Sequence, residues 1–302
     1  MSVIRLLAPL CNLESDIVSS RLVDDFTMQR LSFPYLKRLL KRLDDEALAV
    51  VRGITGYCEE EGDPKHVYVI QGQYLTNDIL PDSPDLVSAW MQRLNASESA
   101  HSGLERVLKM LRLYSEGHVF SPATYFYSKK GRLIEPEGVI ATSHWPAVLP
   151  FPFNQADIPA FQDFFAVNVL PFKEDYINLA FDYFSQSYEH HSSAMNYINL
   201  MIAAEILFND GHDELRYRIS RGLATLLGHT TEESWGIFKA MGTLYDKRSS
   251  LVHSGKSNQI TDEDVLTLRQ YLRRAIKCLL NRGLTKESLR RFLVASGFGS
   301  PA

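Results

Sequence analysis

Residues Thr230 to Gly255, TTEESWGIFKAMGTLYDKRSSLVHSG, narrow the possible folds more than any other stretch. Thr230 and Glu233 have the Ser/Thr-x-x-Glu spacing of a capping box, and Gly255 follows the last periodic residue as a C-terminal stop. Between them Phe238, Met241, Tyr245 and Val252 recur at helical spacing and predict one apolar stripe on a long helix. Arg248 falls inside that stripe. A guanidinium on a core-facing position needs a partner or a function. His253 follows in the last turn, about 140° further round an ideal helix. There the negative end of the helix dipole favours an imidazolium. Arg248 and His253 therefore make a small cationic pair suited to a phosphate.

The rest of the second half repeats the helical pattern. Helices are predicted over Pro159–Val169, Tyr176–Glu189, Ser193–Asn209, Asp213–Leu227, Asp262–Asn281 and Lys286–Ala295, with Gly211, Gly228 and Gly283 in turns between them. Thr261 and Asp264 have the spacing of a second capping pair. In the Ser193–Asn209 helix, Ile198, Met201, Ile202, Ala204, Ile206, Leu207 and Phe208 surround Glu205 on nearly every side. A carboxylate so placed needs a cation, and Arg248, Arg216, Arg218 and Arg221 are the candidates. Glu205 reads either as half of an ion pair joining two helices or as part of a site.

The first half reads differently. Val3–Leu10, His66–Gln71, Ser115–Ser128 and Gly138–Thr142 are strand candidates, and Phe33–Val51, Asp85–Leu94 and Ser99–Leu113 are helix candidates. The basic face Lys37, Arg38, Lys41 and Arg42 reads as solvated surface, and Glu59–Asp63 as an acidic turn. Pro146, Pro150, Pro152 and Pro159 cluster between the halves. The expected organisation is an α+β domain over residues 1–145, a proline-rich linker over 146–158 and an all-α bundle over 159–302.

With 302 residues, 45% hydrophobic and 23% charged, the chain has the composition of an ordinary globular protein of two domains. Its net charge of −4 gives no global attraction to nucleic acid, so any RNA binding must be local. Cys11, Cys58 and Cys278 form no Cys-x-x-Cys pair, which argues against a disulfide framework and a zinc site. No cofactor or metal is expected, and neither a P-loop nor a Gly-x-Gly-x-x-Gly run occurs. The apolar opening MSVIRLLAPLCN is too short for a leader and reads as a strand or loop. The stretch Tyr197–Phe208 is too short for a bilayer, so no membrane partner and a cytoplasmic location are expected.

The run Arg248-Ser-Ser-Leu-Val-His253 matches the Arg-x(4–6)-His motif of HEPN domains. Its setting, YDKRSSLVHSGK, resembles the ApeA-like branch of that superfamily. NYINLMIAAEILF and ELRYRISRGLATLLG precede it in the matching order, and RVLKMLRLY is similar to the region that accompanies such domains. The resemblance implies a homodimeric helical bundle acting as a metal-independent endoribonuclease, in bacterial defence or toxin-like growth control. It implies Arg248 and His253 as catalytic residues in a cleft shared by two subunits, and Ser249 and Lys247 as RNA-contacting residues. Glu205, Tyr245 and Asp246 are the supporting residues. Ser249 stands where many active members carry Asn, Asp or His.

The chemistry is consistent with those residue types. Cleavage without metal needs a base for the 2′-OH, a cation for the phosphorane and an acid for the leaving oxygen. Histidine titrates near neutrality and serves as either base or acid. Arginine stays charged and grips phosphate oxygens in pairs. One histidine does not readily perform both proton transfers, whereas two copies across a two-fold axis do. The product would carry a 2′,3′-cyclic phosphate. The alternative expectation is a non-catalytic module of the same type that binds RNA or protein and uses Arg248 in a dimer-interface ion pair.

Overall fold

The computed structural model describes residues 2–40, 65–76, 101–128, 133–137, 149–209, 211, 214–255 and 257–296. They divide into two compact units at Val167 and Asn168. The first is built on an antiparallel sheet and the second is helical. The end of the Phe33–Val51 helix, the acidic run Glu59–Asp63, the Asp85–Leu94 helix and the Gly138–Thr142 strand lie outside the described residues.

The first unit contains β1 (Ser2–Pro9), β2 (Leu13–Glu14), β3 (Ser19–Val23), β4 (Phe26–Ser32), α1 (Phe33–Leu40) and β5 (His66–Thr76). There follow α2 (residues 101–114), β6 (Thr124–Ser128), β7 (Leu133–Glu137), β8 (Phe151–Pro152) and α3 (Ile158–Val167). Six strands form one antiparallel sheet in the order β3-β4-β5-β1-β6-β7, while β2 pairs with β8 in parallel. β1 lies at the middle, paired from Ser2↔Thr76 to Pro9↔Val69 with β5. Successive residues Leu6, Leu7 and Ala8 are all buried, so this strand is covered on both faces, which explains its unbroken apolar run. α2 buries Leu104, Val107, Leu108 and Leu111 at helical spacing.

One strand expectation changes, and one hairpin was not foreseen. The strand foreseen over Ser115–Ser128 is confined to Thr124–Ser128. Gly117 holds φ +116°, and a Cβ there would lie 2.5 Å from the Pro150 carbonyl oxygen, while Pro122 removes a ladder donor. The β3–β4 hairpin escapes the apolar pattern because its strands carry Ser19, Ser20, Arg21, Thr27, Gln29 and Arg30. Its signal is the Asp24-Asp25 turn, with Asp24 at φ 47°. The helical domain expected from residue 159 begins later as a compact unit. α3 stays with the sheet unit, burying Ile158, Phe161 and Phe165, and Phe161 sits edge-on to Tyr114 and Phe153.

The second unit holds α4 (Asp175–Gln186), α5 (Ser193–Phe208), α6 (Leu215–Leu227), α7 (Thr231–Ser254), α8 (Asp262–Arg282) and α9 (Lys286–Ala295). α5 buries Tyr197, Leu200, Met201, Ala203, Ala204 and Leu207 and is the helix most enclosed by apolar residues. Burial of Leu200, Met201 and Leu207 stabilises the fold by roughly 1.5–3 kcal/mol each relative to exposure. Thr230 caps α7 by accepting from the Glu233 amide at 3.1 Å, but the Glu233 carboxylate accepts from the His229 amide at 3.0 Å, one residue beyond a reciprocal box. Gly255 ends α7 at φ 64°. The Thr261–Asp264 pair is a complete box. Two arginines of α8 are buried. Arg269 donates to the Ser187 carbonyl at the end of α4 (2.6 Å) and lies over the Tyr188 ring, and Arg273 donates to the Tyr188 hydroxyl at 2.7 Å. Arg269 thus acts as a cationic cap on α4, whereas Arg273 ties α8 to the Tyr188 side chain just beyond it.

Two glycines test this packing. Gly222 in α6 faces Phe208, and an added Cβ would lie 2.4 Å from the ring, whereas Gly236 in α7 has nothing within 4 Å. Gly222→Ala is expected to destabilise by about 1–3 kcal/mol through overpacking, despite the better helix propensity of alanine. Gly236→Ala is expected to stabilise by roughly 0.5–1 kcal/mol. Urea denaturation of the two variants checks both signs.

Candidate functional site

The last turns of α7 carry the candidate residues, and their direction follows from helix geometry. The buried side of α7 is Ile237, Met241, Leu244 and Leu251. Arg248 falls about 20° from the centre of that side on an ideal helix. The expected stripe therefore needs a correction in its members and not in its arginine. Phe238 and Tyr245 are half-buried at its edge, and Val252 is 51% exposed. The apolar residues of this helix lie so evenly round it that sequence spacing alone misplaces the seam by most of a residue.

Asp246, Lys247 and Arg248 are successive residues, and each meets a different helix. Asp246 receives two hydrogen bonds from Arg216 of α6, at 2.7 and 3.0 Å. Lys247 donates to both carboxylate oxygens of Asp264 on α8, at 2.8 and 2.7 Å. Arg248 Nη2 lies 3.1 Å from Glu205 Oε1 on α5. Of the cations considered for Glu205, Arg248 is the one that reaches it. The contact is a charge pair and not an aligned hydrogen bond, since Glu205 Oε1 is buried and meets no donor in line. The Arg248 guanidinium also lies 5.8 Å from the Tyr245 ring centre. Its side chain remains 26% exposed, so part of its donor edge is open.

The electrostatics follow from this wiring. Burial, and secondly the Glu205 charge, push the Tyr245 phenol above its usual range. Burial acts to raise Asp264, but hydrogen bonds from Lys247 and from Thr261 outweigh it and hold the carboxyl below the usual aspartate value. Lys247 is thus a tie between α7 and α8, with both its carboxylate contacts internal. Ser249 is half-buried beside this cluster. His253 is exposed in the last turn, on the side of α7 away from Arg248. The structure therefore brings Glu205, Tyr245 and Arg248 together and sets His253 apart within one chain.

A second group on α7 was not foreseen. Trp235 is 56% exposed and stacks on Phe238 at 5.6 Å and 6°, with Tyr217 edge-on to Phe238. Lys239 Nζ lies 4.9 Å from the Trp235 ring centre. Trp235, Lys239 and His253 recur at four and eighteen residues from the first, and so share the exposed side of α7. Among the described residues no helix is long and apolar enough to cross a membrane. No family model, curated protein or solved structure matches the chain.

Asp264 gives a test of the wiring. Its folded pKa is depressed, so its charge stabilises the fold above the ordinary aspartate value of about 3.9. That contribution is lost as pH falls through the lower folded value. Asp264→Asn is expected to lower Tm at pH 7, with the gap to wild type closing as pH drops below about 4. Thermal melts across pH 2 to 7, on the order of one per pH unit, read this directly.

Proposed function

We propose that the helical unit is a HEPN-type, metal-independent endoribonuclease, with Arg248 and His253 as its catalytic residues in a cleft formed by two copies of the chain. The observation that carries this reading is the state of Arg248. A guanidinium on the buried seam of α7 is held by Glu205 yet keeps an open edge, on the same two turns as an exposed histidine. A guanidinium pre-oriented by a carboxylate loses less freedom on gripping a phosphate. Arg248 and His253 diverge by about 140° round one helix, so a single chain does not aim both at one phosphate. Two copies related by a two-fold axis can, with Arg248 of one opposite His253 of the other.

In the cleavage step one histidine takes the 2′-OH proton as that oxygen attacks phosphorus. Arg248 neutralises the phosphorane, and the second histidine, protonated, gives its proton to the departing 5′ oxygen. A 2′,3′-cyclic phosphate and a 5′-hydroxyl result. The exposed Trp235, with Lys239 beside it, supports RNA as the ligand, because aromatic faces with adjacent cations stack bases without sequence preference. The second reading, a non-catalytic RNA- or protein-binding dimerisation module, is favoured by the engagement of Arg248 with Glu205 and of Lys247 with Asp264.

The test is cleavage by the variants and by mixed dimers. Arg248→Ala and His253→Ala homodimers, incubated with mixed RNA in chelator, are each expected to lose at least about 100-fold in cleavage rate. After mixing wild type with His253→Ala in equal amounts and allowing subunit exchange, about a quarter of the dimers keep both histidines, so the cleavage rate should fall to about a quarter of that of the same amount of chain as wild type. Cyclic phosphate ends identify the chemistry. Wild type that leaves RNA intact, alone and in the mixture, would overturn the nuclease and favour the binding module. Trp235→Ala is expected to raise KM by roughly 5–100-fold while kcat is unchanged, the equivalent of one stacked base.

A further inference from the structure

The sheet of the first unit carries a polar groove of about 460 Å³ across β3, β4, β5 and β1. The register explains its composition. Arg21 opposes Thr27, Thr27 opposes Gln71, and one step along the strands Gln73 opposes Arg5. Directly opposed residues project to the same face, so these side chains share one face of the four strands, with buried Leu7 opposite Gln71 and the Gln73–Arg5 pair two residues along. Asp24 and Asp25 of the β3–β4 turn wall one end. Such a polar groove is unusual in a sheet whose central strand is covered on both faces.

Arg5 stands out within it. Its Nε is buried and, among the described residues, meets no acceptor. A buried guanidinium N–H without an acceptor is costly and points to a ligand oxygen. At the other end Asp24 is neutralised by Arg106 at 2.7 Å, and Arg21 is fixed by donating to the Asp24 carbonyl. The groove then presents two guanidiniums against the Asp25 carboxylate, a balance that suits an anion.

We infer that this groove binds a mononucleotide, with its phosphate on Arg5 and its base toward Asp25. β1 and β3 are three strand spacings apart, about 14 Å, so the groove suits an elongated ligand more than a bare anion. Its volume falls in the usual range of small-molecule sites, roughly 300–1,000 Å³. A phosphate matches the guanidinium of Arg5 in charge and geometry. Gln71, Gln73 and Thr27 supply the paired donors and acceptors that ribose hydroxyls and base edges require. Asp25 accepts from an exocyclic amino group, which favours adenine, cytosine or guanine over uracil. This inference is independent of the nuclease reading, because it concerns other residues in the other unit.

Calorimetric titration of the full chain with AMP, GMP, CMP and UMP tests it, with adenosine, ribose 5-phosphate and inorganic phosphate as controls. At least one amino-bearing mononucleotide is expected to bind, with its nucleoside and ribose 5-phosphate each weaker by about tenfold or more. Arg5→Gln should abolish binding. Should that variant misfold, the exposed positions decide: Gln73→Ala and Asp25→Asn should each weaken binding by about tenfold with unchanged melting curves. No binding by any mononucleotide at millimolar concentration would overturn the inference. So would phosphate binding as tightly as the nucleotides, or binding indifferent to Gln73→Ala and Asp25→Asn.

Discussion

The helical unit depends on three successive charges. Residues 100° apart round a helix point in different directions. Asp246, Lys247 and Arg248 use that fact to reach Arg216, Asp264 and Glu205, on α6, α8 and α5 respectively. Exposed pairs of this kind contribute little singly, about 0–1 kcal/mol. The inner pairs matter more for orientation than for energy, because a buried charge left without its partner destabilises far more than the pair stabilises. Any shift of α7 along its axis would break all three contacts together. The register of α7 in the bundle is therefore specified more sharply than apolar packing alone would specify it.

That same specification bears on the proposed chemistry. Arg248 sits where a leucine would pack, and only the carboxylate of Glu205 makes the position tolerable. A pair with every donor used would leave nothing for a ligand, whereas here part of the guanidinium edge is open and the contact is not an aligned hydrogen bond. An arriving phosphate would share Arg248 with Glu205 and need not displace it. Asp264 and Glu205 then do different work. The first saturates Lys247, whereas the second orients Arg248 and leaves it able to bind.

The sequence was most legible where apolar periodicity and caps agree. All six helices of the second unit appear within about three residues of their expected ends, and Thr230, Thr261 and Gly255 cap where spacing places them. Glu205 and Arg248 were legible as charges in apolar surroundings. Arg269 and Arg273 carry the same signal, each at helical spacing within the run from Val265 to Ile276, and were missed because arginine on a surface helix is common. The first half was less legible because its hairpin strands are polar. Ser19 to Arg21 carries no apolar residue and Phe26-Thr27-Met28-Gln29 alternates over only four residues, the polar positions Thr27 and Gln29 lining the groove while Phe26 and Met28 are buried. Which arginines are functional follows from partner geometry, which no spacing rule supplies.

The divergence of Arg248 and His253 round α7 sets the form that catalysis must take on the proposed reading. Five residues of helix separate the two by most of a half-turn, and no rotamer of an exposed histidine reaches back over the seam that Arg248 faces. Both groups are nevertheless placed by rigid α-helix and not by loop, the first condition for a site that holds its geometry. A helix that fixes each group but cannot unite them defines half a site. On the proposed reading the other half would come from an identical helix in the opposite direction, which would supply the second histidine that one proton donor and one proton acceptor require. Below the dissociation constant of such a dimer, activity falls with the dimer fraction while the fold of each bundle remains. Assembly would then be a control on cleavage that acts without any change within the chain.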